Sequence, residues 1–290
     1  MAVRPKAWFI TVLIGISAVL GIWATVIEPD MLKVRHVEIS SNMWPPAMPA
    51  LKIAVIADLH TGAPHIDLTK LDEVVAAANE LQPDLILLLG DYVNDGVLFG
   101  SFVSPEAVGK RLSRLRAKYG VYAVLGNHDW WLDGPRVARA LQSNGMPVLE
   151  NEAVSIAVPG GRFWIAGIAD ETTRTPEVVR TVAPLPPGEP VLLMTHDPAV
   201  FEDVTDRVAL TLAGHTHGGQ VYLPGIGSLI VPGRAPRRHA YGLIREKGRT
   251  MFVTGGVGSS IIPVRFNMPP EIVSLTIQSR FAPARGTKGR

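Results

Sequence analysis

The 290-residue chain contains no cysteine. Disulfides, thiolate metal sites and cysteine nucleophiles are therefore excluded, while the redox compartment stays open because cysteine-free chains suit either side of a membrane. A charge excess of either sign is also missing: 28 Lys and Arg stand against 26 Asp and Glu, a formal net charge of +2. A dedicated nucleic-acid binder needs a basic face to neutralise phosphates, so no nucleic-acid duplex is expected as a partner. Internal repeats, long low-complexity tracts and a His-Glu-x-x-His helix are absent as well. What the chain has in excess is apolar character, with 47% hydrophobic residues, 19% charged residues and a mean hydropathy of +0.21. Disorder is excluded, and the composition is greasier than that of an ordinary soluble enzyme.

The excess is concentrated near the N-terminus. Residues 7–27 form an uncharged run, preceded by Arg4 and Lys6 and followed by Glu28 and Asp30. At ~1.5 Å rise per residue, such a run crosses a hydrocarbon core of ~30 Å as a helix. Trp8 and Trp23 lie near its two ends, where indole rings favour the interface. A cleaved signal peptide fits less well, since its apolar region is usually shorter and Ile22 is bulky ahead of the candidate cleavage point after Ala24. Residues 1–30 are thus expected to be an uncleaved single-pass anchor. Arg4 and Lys6 are balanced by Lys33 and Arg35 beyond the span, and the terminal amine tips the rule toward a cytoplasmic N-terminus and an extracytoplasmic 31–290.

Beyond the anchor, residues 31–50 read as a linker because of the Pro-rich Met43-Trp44-Pro45-Pro46-Ala47-Met48-Pro49. Residues 51–279 read as one domain, and 280–290 as a basic tail with the character of a frayed terminus. Apolar strands are expected at 51–57, 85–89 and 121–125, alternating with helices at 67–81, 105–118 and 134–143. Strands then dominate, at 154–158, 162–168, 191–194, 208–212, 241–245, 251–254 and 272–277. The fold class is α/β, with parallel strands covered by helices; a four-layer α/β/β/α sandwich and two α/β lobes both satisfy the periodicity.

Polar residues collect where these strands end. The runs deliver Asp58-Leu59-His60, Gly90-Asp91, Gly126-Asn127-His128-Asp129, Thr195-His196-Asp197 and Gly214-His215-Thr216-His217. In open α/β sheets that edge is the ligand-binding edge. Any one of these motifs alone is more often a helix cap or turn. Together they hold five of the eight histidines, and seven N/O donors without sulfur suit two divalent ions such as Mn, Fe or Zn.

The ordered series over residues 58–217 resembles the calcineurin-like metallophosphoesterases. The stretch 214–221, with 258–266 and Pro269-Pro270-Glu271, is similar to the membrane-anchored bacterial branch of that family. The resemblance implies a four-layer sandwich in a bacterial inner membrane. It implies one ion on Asp58, His60 and His217, another on Asn127, His196 and His215, and Asp91 bridging them. His128, backed by Asp129, would be the catalytic residue that protonates the leaving oxygen or stabilises phosphoryl charge. The expected reaction is hydrolysis of a phosphodiester or pyrophosphate by a metal-bound hydroxide. Its partner is a phosphoester substrate, lipid-linked or nucleotide, with UDP-2,3-diacylglucosamine pyrophosphatase activity and a non-catalytic scaffold as the alternatives. Among the remaining candidates, Arg265 is either a phosphate fork or a buried structural cation, Arg234, Arg237 and Arg238 a basic rim or a solvated loop, and His65 and His239 loop or surface histidines.

Overall fold

The computed structural model describes residues 5–281. In chain order they form α1 (Pro5–Ile22), β1 (Lys33–Ser41), β2 (Leu51–Ile56), α2 (Leu68–Glu80), β3 (Leu85–Leu88), α3 (Pro105–Leu112), β4 (Val121–Ala123) and α4 (Asn127–Gln142). There follow β5 (Glu152–Val158), β6 (Gly161–Gly167), α5 (Val178–Val182), β7 (Val191–Met194), β8 (Leu210–Ala213), β9 (Tyr222–Leu223) and β10 (Gly227–Ser228). The last strands are β11 (Gly242–Glu246), β12 (Arg249–Val253) and β13 (Glu271–Ser279). One sheet has the order β1-β13-β2-β3-β4 and the other β11-β12-β8-β7-β6-β5, with β9 and β10 as a separate ribbon. Strands β2, β3 and β4 run parallel, as do β6, β7, β8 and β12.

The layering follows from apolar residues on both faces of the central strands. In β2, Ile53 and Val55 enter the core between the sheets while Ala54 and Ile56 face the helices; β3 repeats this with Leu85 and Leu87 against Ile86 and Leu88. In β7, Leu192 and Met194 complete the core between the sheets, whereas Val191 and Leu193 face outward. Helices α2, α3 and α4 cover the first sheet through Leu71, Val75, Val108, Leu112, Val137 and Leu141. Val178 and Val182 of α5, with Phe201, cover the second. The result is the four-layer α/β/β/α sandwich. The N-cap of α2 is Asp67, whose carboxylate accepts the Lys70 N–H at 2.8 Å.

Three expectations need correction. Residues 31–50 are not a loose linker: β1 lies parallel to β13 over Lys33–Ser41, and Trp44 is buried against Phe163 with ring centroids 5.6 Å apart. Strand β1 is an edge strand with few buried side chains, so it has no apolar run to announce it. Helix α4 starts at Asn127, ahead of the expected 134, and is broken at Asp133 (φ −177, ψ 83), where its carboxylate caps the second segment. The first segment is polar because it carries site residues. Finally, His239 is buried and bonds Glu246 Oε1 at 2.9 Å. Most of the 280–290 tail lies outside the described residues.

Helix α1 continues through a π turn (Trp23–Ile27) and a 3-10 turn (Glu28–Asp30). The span Trp8–Asp30 has a mean hydropathy of 2.4 and is the one candidate membrane span among the described residues. Its inner end is fastened to the domain: the Arg265 N–H reaches the Ala24 carbonyl at 2.9 Å, and the Met268 N–H reaches Glu28 Oε1 at 2.6 Å.

Candidate metal centre

All five polar motifs converge at one edge. Asp58 and His60 follow β2, Asp91 follows β3, Asn127 opens α4 after β4, His196 follows β7, and His215 and His217 follow β8. Backbone bonds extend the sheets into these loops: Asp58 N–H to Gly90 O at 3.0 Å, His60 N–H to Asp91 O at 2.9 Å and Gly214 N–H to His196 O at 3.0 Å. Five of the seven candidate ligands, Asp58, His60, Asp91, His215 and His217, have φ between 44° and 68°. Side-chain-bearing residues rarely occupy that left-handed region, and strain of this kind collects at functional sites. Glycine at 126 is needed for close approach, since a Cβ there would stand 2.3 Å from Asp91 Oδ1.

Two donor clusters meet at Asp91. In the first, His60 Nε2 lies 3.2 Å from His217 Nε2, which is 3.8 Å from Asp58 Oδ1. In the second, His196 Nε2 lies 3.2 Å from Asn127 Oδ1 and 3.1 Å from His215 Nδ1. Asp91 Oδ2 stands 3.4 Å from His60 Nε2 and 3.2 Å from His196 Nε2. Its Oδ1 is occupied elsewhere, accepting the His128 N–H at 2.9 Å. All seven residues are buried.

The tautomers test whether cations fit. His196 Nδ1 faces the Leu89 carbonyl at 2.7 Å and His217 Nδ1 faces the Gly258 carbonyl at 3.2 Å, so both rings carry the proton on Nδ1 and aim an Nε2 lone pair into the clusters. His215 Nε2 and Asp197 Oδ2 are buried, lack a hydrogen-bond partner and stand 3.7 Å apart, while His215 Nδ1 is the ring nitrogen that faces His196 Nε2 at 3.1 Å. Once Asp58 and His196 are deprotonated, lone pairs and carboxylate oxygens converge here. That arrangement is repulsive unless a cation sits among the donors, and N/O donors backed by carbonyls and a carboxylate match divalent ions.

Burial and charge act on the same groups. Burial pushes Asp58 up to about 7, with the Asp91 charge adding to it, and burial lowers His60 to about 3 and His215 to about 4. Burial also works against a charged His196, yet Asp91 beside it raises that ring well above its ordinary value. A cation requires the ionised carboxylate and the neutral rings. Metal uptake should therefore displace the His196 proton on both sides of neutrality and a further proton from Asp58 below about pH 7, while His60 and His215 are already neutral. Calorimetry of Mn²⁺ binding in buffers of different ionisation enthalpy is expected to show more protons released at pH 6 than at pH 8.5, with affinity rising across that interval; equal release at both would contradict this electrostatic account.

His128 lies at the edge of the clusters, T-shaped against His60 at 4.7 Å and flanked by exposed Trp131 at 4.8 Å. Its Nδ1 faces the Asp95 carbonyl at 2.8 Å, and Nε2 faces Ser260 Oγ at 3.4 Å. Asp129 does not back it. That carboxylate accepts N–H groups from Asp91 and Tyr92 at 2.8 Å and from Gly126 at 3.0 Å, so it fixes the loops and is withdrawn from the catalytic role expected of it. Arg265 is no phosphate fork either: it is fully buried and donates to the carbonyls of Gly255 at 2.9 Å and Met268 at 2.8 Å, behind His217. Of the basic rim, Arg234 is paired with Glu171 and Arg238 with Glu246. Asp197 was present in the motif read from sequence, and the fold brings its Oδ2 to 3.7 Å from His215 Nε2.

The calcineurin-like phosphoesterase family model matches residues 51–219. The metallophosphoesterase YkuE of Bacillus subtilis is 31% identical over 263 residues, covering 89% of both chains. The phosphodiesterase YaeI of Escherichia coli is 34% identical over 233 residues, covering 78% of this chain and 82% of its own. A Danio rerio protein named as a transmembrane protein with a metallophosphoesterase domain is 28% identical, covering 91% of this chain and 61% of its own. A family match over more than half the chain and 31% identity along most of a relative agree with the carboxylate-bridged donor clusters, and the chain belongs to the calcineurin-like phosphoesterases, a family of metal-dependent phosphoric ester hydrolases.

Proposed function

We propose that this hydrolase is a membrane-anchored phosphodiesterase or pyrophosphatase that uses two divalent ions, one on Asp58, His60 and His217 and the other on Asn127, His196 and His215. The observation that carries this reading is the position of Asp91 Oδ2, within 3.4 Å of one cluster and 3.2 Å of the other. Bound there, the cations supply Lewis acidity toward phosphoryl oxygens and lower the pKa of water. The protein's own residues do the rest. The Leu89 and Gly258 carbonyls face the Nδ1 atoms of His196 and His217 and orient those rings as ligands. His128, whose ring is fixed by the Asp95 carbonyl, stands where a leaving oxygen needs a proton.

Arg4 and Lys6 precede the apolar run, and the proposed orientation keeps them in the cytoplasm. The catalytic domain is then extracytoplasmic on a bacterial inner membrane. A fluorescent reporter fused after Arg290 is expected to be exported, and cytoplasmic fluorescence would reverse the orientation. The full chain in detergent, supplied with Mn²⁺, is expected to hydrolyse bis(p-nitrophenyl) phosphate and to hold about two ions per chain. No turnover with metal bound would remove the enzymatic reading, and one ion per chain would remove the dinuclear one.

A further inference from the structure

The turns beside the site expose apolar side chains where the backbone favours glycine or asparagine. Phe99 has φ 63° and is 84% exposed; Ile261 has φ 62° and is 69% exposed. An aromatic and a β-branched residue are both disfavoured in that left-handed region, and neither gains burial in return. The two turns are neighbours, since the Leu98 N–H donates to the Ile261 carbonyl at 2.9 Å. Leu98 and Ile262 are exposed beside them, making one apolar lip from two loops.

The lip adjoins both the membrane helix and the metal centre. His65, on the loop that shares a cleft with Phe99 and Asp30, lies 2.9 Å from the Thr25 carbonyl through Nε2. The segment that carries Ile261 and Ile262 continues to Arg265, whose N–H holds the Ala24 carbonyl. Ala24 and Thr25 belong to the span Trp8–Asp30. At ~1.5 Å per residue the attachment points fall about 3–5 Å inside the end of the uncharged run at Ile27, at the headgroup and acyl boundary where amphipathic elements sit. On its other side, Ile261 follows Ser260, whose hydroxyl lies 3.4 Å from His128 Nε2. The lip thus bridges the bilayer surface and the catalytic histidine.

We propose that Leu98, Phe99, Ile261 and Ile262 dip into the bilayer beside α1, so that the metal centre opens at the membrane surface and its substrate is a membrane-resident phosphoester lipid. This rests on the phosphoesterase reading and narrows its substrate class. The lipid's phosphate enters the centre while its acyl chains remain in the bilayer. Water adds to phosphorus, the P–O bond to the leaving alcohol breaks, and that alcohol carries away a proton. Continuity with α1 selects lipid as the occupant of the lip, because the same loops are bonded to the helix that is itself in the membrane.

Because the chain has no cysteine, a single introduced thiol is a unique label. Phe99→Cys and Ile261→Cys, each carrying an environment-sensitive fluorophore in the full chain reconstituted in phosphatidylcholine and phosphatidylglycerol vesicles, are expected to emit at shorter wavelength. Both should be quenched by lipids bearing a nitroxide near the headgroup. Val179→Cys, at an exposed position on α5, serves as the aqueous control. Aqueous emission from both lip positions would overturn the proposal, as would protection that follows protein concentration at fixed lipid, which marks a second copy as the occupant.

Turnover supplies the second arm, with a diacyl lipid carrying a fluorogenic phosphodiester headgroup in the vesicles and bis(p-nitrophenyl) phosphate in solution. Phe99→Asp is expected to lose about tenfold or more on the vesicle lipid while the soluble ester changes less than twofold. Equal rates on the vesicle lipid for wild type and variant, or a wild type active only on the soluble ester, would overturn the lipid assignment. A wild type inactive on both esters refutes the phosphoesterase reading beneath it, and the fluorophore arm still decides the membrane contact.

Discussion

Asp91→Asn is expected to cut phosphoester turnover by about 10³-fold or more and to lower bound metal from about two ions per chain to one or fewer. The magnitude follows from replacing an anionic oxygen shared by two cations with a neutral amide: each interaction contributes roughly 2 kcal/mol or more, and every 1.36 kcal/mol is about tenfold. The substitution is suited to the question because it leaves the scaffold intact. Asp91 Oδ1 accepts the His128 N–H at 2.9 Å, a bond that the amide oxygen can keep, and the backbone N–H of residue 91 still reaches Asp129. Circular dichroism should therefore match wild type while metal analysis and turnover fall together. Two retained ions and activity within tenfold of wild type would show that Asp91 does not join the two clusters. Asp129→Asn provides the contrast, since its carboxylate organises four backbone N–H groups at the loop junction and its loss is expected to appear in thermal stability as well as in activity.

The contrast between these two aspartates shows what could be read in advance. Asp91 was legible as a candidate ligand because an apolar strand ends beside it and four other strands end in similar polar motifs. The central strands were legible for the same reason: buried on both faces, β3 and β7 are unbroken apolar runs and β2 is interrupted only by Lys52. Asp129 was misread because its partners are backbone N–H groups, near at Gly126 and distant at Asp91 and Tyr92, which leave no mark on residue type. Arg265 was left open for a related reason, as guanidinium donors suit a phosphate and a set of carbonyls equally well, and only the fold shows it enclosed by Gly255, Gly258 and Met268. Strand β1 escaped notice because an edge strand has little to bury, and its pairing partner β13 lies at the far end of the domain. The apolar lip was not legible at all. Leu98, Phe99, Ile261 and Ile262 are ordinary residues in sequence, and they become informative only when their exposure, backbone geometry and adjacency to α1 are known.

His128→Ala is expected to reduce turnover by about 10²- to 10⁴-fold on an alkyl phosphodiester while leaving about two ions bound, because removal of one positioned proton donor carries a penalty of that order. Metal retention is expected because the His128 ring nitrogens contact the Asp95 carbonyl and Ser260 Oγ, although one of them also lies within 4.8 Å of donor atoms on His60 and Asp91. The chemistry of the leaving group then separates two roles. An alkoxide needs a proton as the P–O bond breaks, whereas p-nitrophenolate is stable enough to leave without one. If His128 delivers that proton, the loss should be much smaller on bis(p-nitrophenyl) phosphate than on the alkyl ester. An equal loss on both esters would instead assign His128 to stabilising charge on the phosphoryl oxygens, which develops whatever the leaving group. A variant with wild-type rates on both would remove it from the catalytic machinery, leaving the ring as a wall between His60 and the exposed face of Trp131.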